Sequence, residues 1–442
     1  MRDQKRWDEE DQARGVDPAT VRGLTQPRLS RRDLLRYGGA GALGLSALVS
    51  GCGVRNATVT SATAGAGGAG SPSWWAGQES HRVVNFGNWP YYIDVLGRRH
   101  PSLDHFTKLT GIKVNYSEPI SDNLPFYTAI RPSLEAGLYT GYDVIVMTTN
   151  SPALGDLINN GWLTPLDQAM MTNFKKHASP LVTNPSWDPG NKYTMAWQSG
   201  YTAIGYNSSV LKNPAPNVGV LFDKRFSGKV GMMADPQELG SLGLLAIGVE
   251  PASSTEPDWA RAAKKLRQQR TEGIVRGYYN QNYITHLKRG DIFVSQAWSG
   301  DIFQADLSRS SRNLQLLIPD EGAMHWTDNM CIPRYARNPK DAMTLMDYYY
   351  QPQVAAVVEY YDDYVCPVPA AKQMLLHPTG WAAQELAAMY KSIGLPASTT
   401  ADSSVVFPDA RLEKLSRNYY TFKSQEELTA WNNLFVPITQ GA

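Results

Sequence analysis

The strongest constraint on the fold is a repeated alternation of short strand-like runs with helical patterns, which begins near residue 82. The run at 142–147 is apolar enough for a strand that is buried on both faces. Segments with helical spacing, such as 258–270, lie between the runs. The predicted strands are 82–86, 112–116, 142–147, 228–234, 291–298 and 314–318. Strands that alternate with helices predict an α/β fold with largely parallel sheets.

Length and composition limit the class of protein. The chain has 442 residues, of which 42% are hydrophobic and 19% charged, so it can bury two substantial cores. Lys and Arg total 42 against 41 Asp and Glu, and this balance offers no basic face for nucleic acid. There is no second long apolar run beyond the amino-terminal region, which excludes a multi-span membrane protein.

Residues 1–51 predict an export signal. Arg31 and Arg32 stand before an apolar stretch at 37–48 that is shorter than the roughly 20 residues of a membrane-spanning helix. The pair resembles a twin-arginine signal, and the stretch runs into a motif that resembles a bacterial lipobox ending at Cys52. A chance pair of arginines before an apolar helix is the alternative. We expect the signal to be removed and Cys52 to carry lipid that holds the protein on the outer face of the cytoplasmic membrane.

The segment after Cys52 has the composition of a flexible spacer. Residues 53–80 are mostly Gly, Ala, Ser and Thr, so we expect residues 52–80 to form a linker and the folded part to begin near His81. Trp74 and Trp75 stand at the end of this linker, where we expect them to pack on the adjacent domain surface.

Acidic and aromatic residues follow several of the predicted strands. In open α/β sheets, ligands bind beyond the carboxyl ends of the strands, so these positions form the candidate site. They are Trp89, Tyr92, Thr148, Ser151, Asp235, Glu238, Trp298, Asp301, Trp326 and Asp328.

Each of these residues has an ordinary alternative role. Trp89 and Trp298 could be core aromatics. Asp235 could cap a helix that contains Glu238 in its first turn. Asp301 and Asp328 could be solvated loop residues. Taken together, the acids and aromatics favour a single site at the carboxyl ends of the strands, because a chance distribution would place such residues at both ends of the sheets.

The mixture of residue types indicates the chemistry of the ligand. An ammonium group that leaves water needs carboxylate partners, since an unpaired buried charge is prohibitive. Indole faces attract cations by roughly 0.5–2 kcal/mol and cover methylene stems. A cleft with several acids and flanking aromatics therefore suits an elongated organic polycation.

Residues 83–371 resemble the periplasmic spermidine/putrescine-binding proteins of ABC importers. The motifs that carry the resemblance are 88–92, 106–114, 142–146, 202–207, 235–238, 298–301 and 326–333. The resemblance implies an α/β type II periplasmic-binding fold with two lobes, two mixed and mostly parallel sheets, helices on both faces and a hinge. It implies that the chain crosses between lobes near Ile204, Trp298 and Arg334. The implied lobes are 81–204 with 299–334, and 205–298 with 335–442.

The resemblance also implies roles for the candidate residues. Trp89 and Tyr92 would form one wall of the cleft and Trp298 the other. The acids of the second lobe and of the hinge would meet ammonium groups; these are Asp235, Glu238, Asp301 and Asp328. The remaining matches are Trp326, a small hydroxyl among residues 148–151, and, more loosely, Tyr364.

The implied function is that of an extracytoplasmic receptor. It would capture a polyamine, deliver it to an ABC permease, use no cofactor or metal and perform no catalysis.

Two alternative functions come from other residues. The tyrosines at 348–350 and 360–361 are similar to the twin tyrosines of ferric-ion receptors, although their helical context also suits packing. An exported hydrolase could use the acids, but the chain has no Gly-x-Ser-x-Gly or His-Glu-x-x-His motif. Cys331 and Cys366 could form a disulfide or remain two small buried thiols.

Overall fold

A computed structural model describes residues 68–90, 92–280, 282–307 and 313–440. The predicted signal at 1–51, Cys52 and the first part of the predicted linker lie outside these residues. Within the described ranges, no helix is both long and apolar enough to cross a membrane.

Strands and helices alternate along most of the described chain. The strands are β1 Val83–Gly87, β2 Lys113–Ser117, β3 Val144–Thr148, β4 Thr194–Asn207, β5 Val230–Met233, β6 Val275–Tyr279, β7 Val294–Trp298, β8 Leu314–Leu317, β9 Ala323–Cys331 and β10 Ser416–Arg417. The helices of the first half are α1 Pro72–Ala76, α2 Pro101–Thr110, α3 Asn123–Glu135, α4 Pro152–Asn159, α5 Thr172–His177, α6 Pro236–Leu245, α7 Glu256–Thr271 and α8 Tyr283–Arg289. Those of the second half are α9 Ser299–Leu307, α10 Pro339–Tyr348, α11 Pro352–Asp362, α12 Ala371–Leu376, α13 Gly380–Ile393, α14 Ala397–Ala401, α15 Ala410–Leu415 and α16 Gln425–Gln440.

Proline and glycine set many of the helix ends. Helices α2, α4, α6, α10 and α11 begin with proline, whose fixed φ suits the first helical turn and whose missing N–H has no partner there. Helix α2 ends before Gly111, which takes the left-handed conformation with φ 72°.

The strands form one sheet of ten, in the order β2-β1-β3-β9-β4-β7-β5-β6, with β10 on β9 and β8 on β4. Both ends of this order are parallel: β1 pairs with β2 and β3, and β5 with β6 and β7. The centre is antiparallel, because β9 runs against both β3 and β4. The predicted mixed α/β arrangement is confirmed.

The sequence predicted two sheets, whereas hydrogen bonds join all the strands into one. The physical reason is the length of β4, which has 14 residues. Residues 194–202 of this strand pair with β9, and residues 202–206 pair with β7. The strand is therefore shared by the two parallel ends of the sheet.

The buried apolar residues form two large cores. The first core surrounds β1–β3 and includes Phe86, Val146 and Tyr350. The second lies around β5, α6 and α7 and includes Trp259 and Trp431, whose ring centroids are 5.3 Å apart. We call the parts of the molecule around these cores the first and second lobes.

The packing differs from the predicted division of the chain between lobes. Residues 342–406 contribute to the first core, although 335–442 was predicted to belong to the second lobe. Residues 299–334 were predicted to belong to the first lobe, yet Ile302 of α9 packs with Tyr283 and Leu287 beside the second core. Strand β9 takes part in both cores, since Trp326 lies in the second and Met330 in the first.

The folded part begins before His81. Residues 72–76 form helix α1, and Trp75 is buried in the first core with its indole N–H donating to Pro165 O at 3.1 Å. The tryptophan pair packs on the domain as expected, but the predicted linker is too long at its carboxyl end, because tryptophan burial fixes this segment.

Candidate ligand cleft

The strand register brings several of the predicted residues together between the two cores. Asp328 in β9 lies opposite Thr148, the last residue of β3, and opposite Gln198 in β4. Trp326 lies on the same face of β9 because it is two residues away. Trp298, at the end of β7, pairs with Thr202 of β4. The carboxyl ends of strands from both lobes therefore meet beside the two long central strands.

Asp328 is a buried carboxylate held from two sides. Tyr92 donates its hydroxyl to Oδ2 at 2.8 Å, and Thr148 donates to Oδ1. Burial raises the pKa of Asp328 to about 6, and the two hydrogen bonds oppose that rise. The alternative of a solvated loop residue is wrong for Asp328, because it sits inside a strand with 6% exposure.

Asp301 lies in the first turn of α9 and is also buried. Tyr283 donates to its Oδ2 at 2.8 Å, while the hydroxyl of Tyr364 lies 3.4 Å from Oδ1. The Tyr283 hydroxyl also accepts the backbone N–H of Trp298 at 3.0 Å. Tyr283 therefore positions both the carboxylate of Asp301 and the backbone of Trp298, which is predicted to form a wall of the cleft.

The carboxylate of Glu238 accepts four hydrogen bonds from described residues. Its Oε1 accepts from Thr202, Asn150 and Trp298 at 3.0, 3.1 and 3.3 Å. Its Oε2 accepts from Tyr419 at 2.8 Å. Burial and the neighbouring charge of Asp235 raise the pKa of Glu238 to about 7, against the effect of these donors.

The Asn150 bond joins the two lobes directly. Asn150 follows β3 of the first lobe, whereas Glu238 lies in α6 of the second, so this contact spans the cleft.

Two predicted residues act as helix caps. Asp235 Oδ1 accepts the backbone N–H groups of Gln237 and Glu238, both at 2.9 Å. Asp235 is nevertheless open to solvent on its other side. Ser151 was predicted as a ligand residue, but its hydroxyl accepts the N–H of Ala153 at 3.3 Å and caps α4. Thr148, at the end of β3, is the hydroxyl that reaches the acids.

Aromatic rings pack against one another between the candidate acids. The ring of Tyr364 makes edge contacts with Tyr92 and Trp326, at centroid distances of 5.5 and 5.6 Å. Trp326 lies against Gly200, where a Cβ would come within 2.3 Å of the indole, so glycine is required there. Trp89 packs against the first core and is only half-buried.

Four residues of the cleft were not predicted from the sequence. They are Asn150, Thr202, Tyr283 and Tyr419. Asn150 and Thr202 lie within the motifs 148–151 and 202–207, but no sequence pattern distinguishes them from their neighbours. Tyr283 lies 18 positions before Asp301, and Tyr419 lies 181 positions after Glu238. No local sequence pattern indicates hydrogen bonds between residues so far apart.

The tyrosines considered for ferric iron have other partners. Tyr348 and Tyr350 are buried, and their hydroxyls donate to Ser102 O at 2.9 Å and Ala196 O at 2.6 Å. The hydroxyl of Tyr360 donates to Leu395 O. Within the described ranges, no three His, Cys, Asp or Glu side chains are grouped to hold a metal ion. Cys331 and Cys366 are two free buried thiols.

The arrangement suits a cation. Of the candidate acids, Asp235, Glu238 and Asp328 form no ion pair with any described residue. Their partners are neutral donors, which leave the negative charge in place. Carboxylates with remaining acceptor capacity beside aromatic faces can bind ammonium groups and cover alkyl segments.

The fold and this cleft define a solute receptor. The profile of the family described as bacterial extracellular solute-binding protein matches residues 102–388. The chain belongs to this family.

The similar proteins with curated names bind polyamines. The spermidine/putrescine-binding periplasmic protein of Salmonella typhimurium is 27% identical over 295 residues, which cover 66% of this chain and 80% of that protein. The putrescine-binding periplasmic protein SpuD of Pseudomonas aeruginosa is 27% identical over 353 residues, which cover 75% and 92%.

Solved structures agree on the fold. The spermidine/putrescine ABC transporter substrate-binding protein PotD of Streptococcus pneumoniae, solved with calcium and HEPES, matches with a TM-score of 0.66 and 22% identity, over 81% of this chain and 98% of that one. The Tp0655 (TpPotD) lipoprotein of Treponema pallidum matches with a TM-score of 0.63 and 15% identity, over 80% and 99%. The predicted type II periplasmic-binding fold is confirmed.

Proposed function

We propose that this protein captures a linear polyamine in the cleft between its lobes and passes it to the permease of an ABC importer, without catalysis. The observation that carries the proposal is a pair of buried carboxylates, Glu238 and Asp328, which accept hydrogen bonds from neutral donors and form no ion pair with any described residue, beside tyrosine and tryptophan rings. The names of the similar proteins support the same ligand class.

Each acid would have a distinct role in this receptor. Asp328 and Asp301 would bind ammonium groups beside the shared ring of Tyr364. Trp298 and Trp326 would cover the methylene segments. Glu238 and Asp235 would supply negative charge from the second lobe, so a ligand that touches both lobes would favour closure.

The test is calorimetric titration of the purified full chain with putrescine and spermidine, with an amino acid, a sugar and ferric iron as comparisons. We expect saturable binding of polyamines alone. The matched variants are Asp301→Asn and Asp320→Asn, since Asp320 is exposed. Asp301→Asn should weaken binding and Asp320→Asn should not, because only the first removes a partner of a desolvated ammonium. Equal affinities for the two variants would contradict the site.

We also propose export by the twin-arginine route and lipid attachment at Cys52. The support is the order of paired arginines, apolar stretch and lipobox in the sequence. Cell fractionation should find the full chain in the membrane fraction and the Cys52→Ser variant released from it. A Cys52→Ser chain that stays with the membrane would contradict the anchor.

A further inference from the structure

A cavity of about 560 Å³ lies next to the candidate cleft. Its walls are the turn before α7, the first turn of α7 and the segment 418–427, and Ser186 also borders it. Ser186 adjoins Trp187, which packs against the first core, whereas Trp259 on the opposite wall belongs to the second. The cavity therefore lies between the lobes, and its size is within the range of small-molecule sites.

The cavity and the cleft share one side chain. Tyr419 borders the cavity, and its hydroxyl donates to Glu238 Oε2 at 2.8 Å and lies 3.3 Å from the Thr202 hydroxyl. The next residue, Tyr420, also borders the cavity, and its carbonyl accepts from Gln237 in the first turn of α6 at 3.1 Å. The two spaces are thus separated by the width of a single residue.

The lining of the cavity suits a cation. Glu256 and Glu427 both border it, and Glu256 forms no ion pair with any described residue. Glu427 Oε2 accepts the backbone N–H of Lys423 at 2.8 Å. Among the described residues of the lining, Lys423 is the one base, so the two carboxylates leave a negative balance.

The remaining lining is hydroxyl-rich and partly aromatic. Thr255 and Thr421 contribute hydroxyl groups, and the ring of Tyr420 packs edge-on against Trp259 with centroids 5.0 Å apart. Hydroxyl oxygens can accept from an ammonium group, and aromatic rings can cover the methylene groups beside it.

We propose that this cavity is a second subsite, which holds the distal ammonium group of a linear polyamine too long for the cleft alone. This inference rests on the proposed function. The chain of the ligand would pass beside Tyr419, with its near amines on the cleft acids and its far amine at Glu256 and Glu427. The receptor would then select for chain length.

The test compares a diamine, putrescine, with a linear tetraamine, spermine, by calorimetric titration of the full chain and of the double variant Glu256→Gln with Glu427→Gln. We expect the double variant to lose about fivefold or more in affinity for the tetraamine and less than about twofold for the diamine, because only the longer ligand reaches the cavity. The control is Glu413→Gln with Glu426→Gln, which removes the same charge at exposed positions and should change neither affinity.

The other outcomes separate the inference from the proposed function. Equal losses for both ligands, no loss for either, or two tetraamine molecules per chain would overturn the second subsite and leave the polyamine receptor intact. A full chain that binds neither amine would overturn the receptor itself.

Discussion

The two lobes supply their acids to the cleft in different ways. On the first-lobe side, Asp328 sits in a strand, and each of its oxygens accepts one hydrogen bond, from Tyr92 or Thr148. On the second-lobe side, Glu238 sits at the start of a helix, and three donors converge on a single oxygen. Both side chains are almost fully buried, so exposure does not explain the contrast.

The difference lies in the remaining acceptor capacity. An ionised carboxylate offers about four lone-pair sites. The hydrogen bonds leave Asp328 about two and Glu238 very few, so an incoming ammonium group can bind Asp328 without displacing a protein donor. Asp328 therefore suits direct contact with the ligand, whereas Glu238 suits alignment of the second lobe through its bonds to Tyr419, Trp298 and Asn150.

The largest expected effect is a difference in the loss of polyamine affinity when Asp328 or Glu238 is neutralised. Asp328→Asn should weaken polyamine binding about 30-fold or more, which corresponds to ~2 kcal/mol, because it leaves a buried ammonium without its counter-charge. Glu238→Gln should cost less than about fivefold at pH 7, since four protein donors leave Glu238 few acceptor sites for an ammonium group. Calorimetric titration of both variants measures the difference.

Melting temperatures in the absence of ligand control for loss of folding. A greater loss of affinity in Glu238→Gln than in Asp328→Asn would reverse the comparison and make Glu238 the main contact.

The next largest effect is a pH dependence. As the pH rises, the affinity for polyamines should increase and the stability of the ligand-free protein should decrease. The pKa values of about 6 for Asp328 and about 7 for Glu238 lie above the ordinary range, so binding a cation should expel protons. Affinity should rise about tenfold between pH 5 and pH 7. The ligand-free protein should instead lose stability as the pH rises through these values, because burial penalises the charged forms.

Titrations in buffers of different ionisation heat would count the released protons, and thermal melts at the same pH values would follow stability. In the Asp328→Asn variant only Glu238 should still release a proton, so the rise in affinity should be centred near pH 7 and have no component near pH 6. A flat affinity from pH 5 to pH 8 would show that neither acid changes its protonation on binding.

The sequence predicts most of the short strands and misses the two long central strands, β4 and β9. β1, β3 and β8 are short, largely apolar runs, and each lies within two residues of its expected place, whereas β7 begins three residues later than expected. β4 contains Gly200 and Gly205, and every residue but one is buried, so it shows no polar and apolar alternation. Its identity as a strand depends on partners that lie about 100 positions away in the chain.

The same limit applies to the cleft. Trp298 and Asp301 could be predicted because they stand at the end of β7 and just after it, where the topology of α/β sheets places ligands. Asp328 was also a candidate, but it lies inside β9, a strand that the sequence did not predict. Tyr283 and Tyr419 could not, because they act by hydrogen bonds to acids on other elements, and only tertiary packing brings them there.

The smallest effect concerns two neighbouring hydroxyls, Thr148 at the end of β3 and Ser151 at the start of α4. Ser151→Ala removes the cap of α4 and should lower the free energy of unfolding by about 1 kcal/mol while changing polyamine affinity less than about twofold. Thr148→Val keeps the shape of its side chain but removes the donor to Asp328, so it should weaken binding several-fold. Denaturant unfolding and calorimetric titration of the two variants measure these changes separately. A strong loss of affinity in Ser151→Ala would restore Ser151 to the ligand site, since the cap bond to Ala153 would then be secondary to a contact that forms on closure.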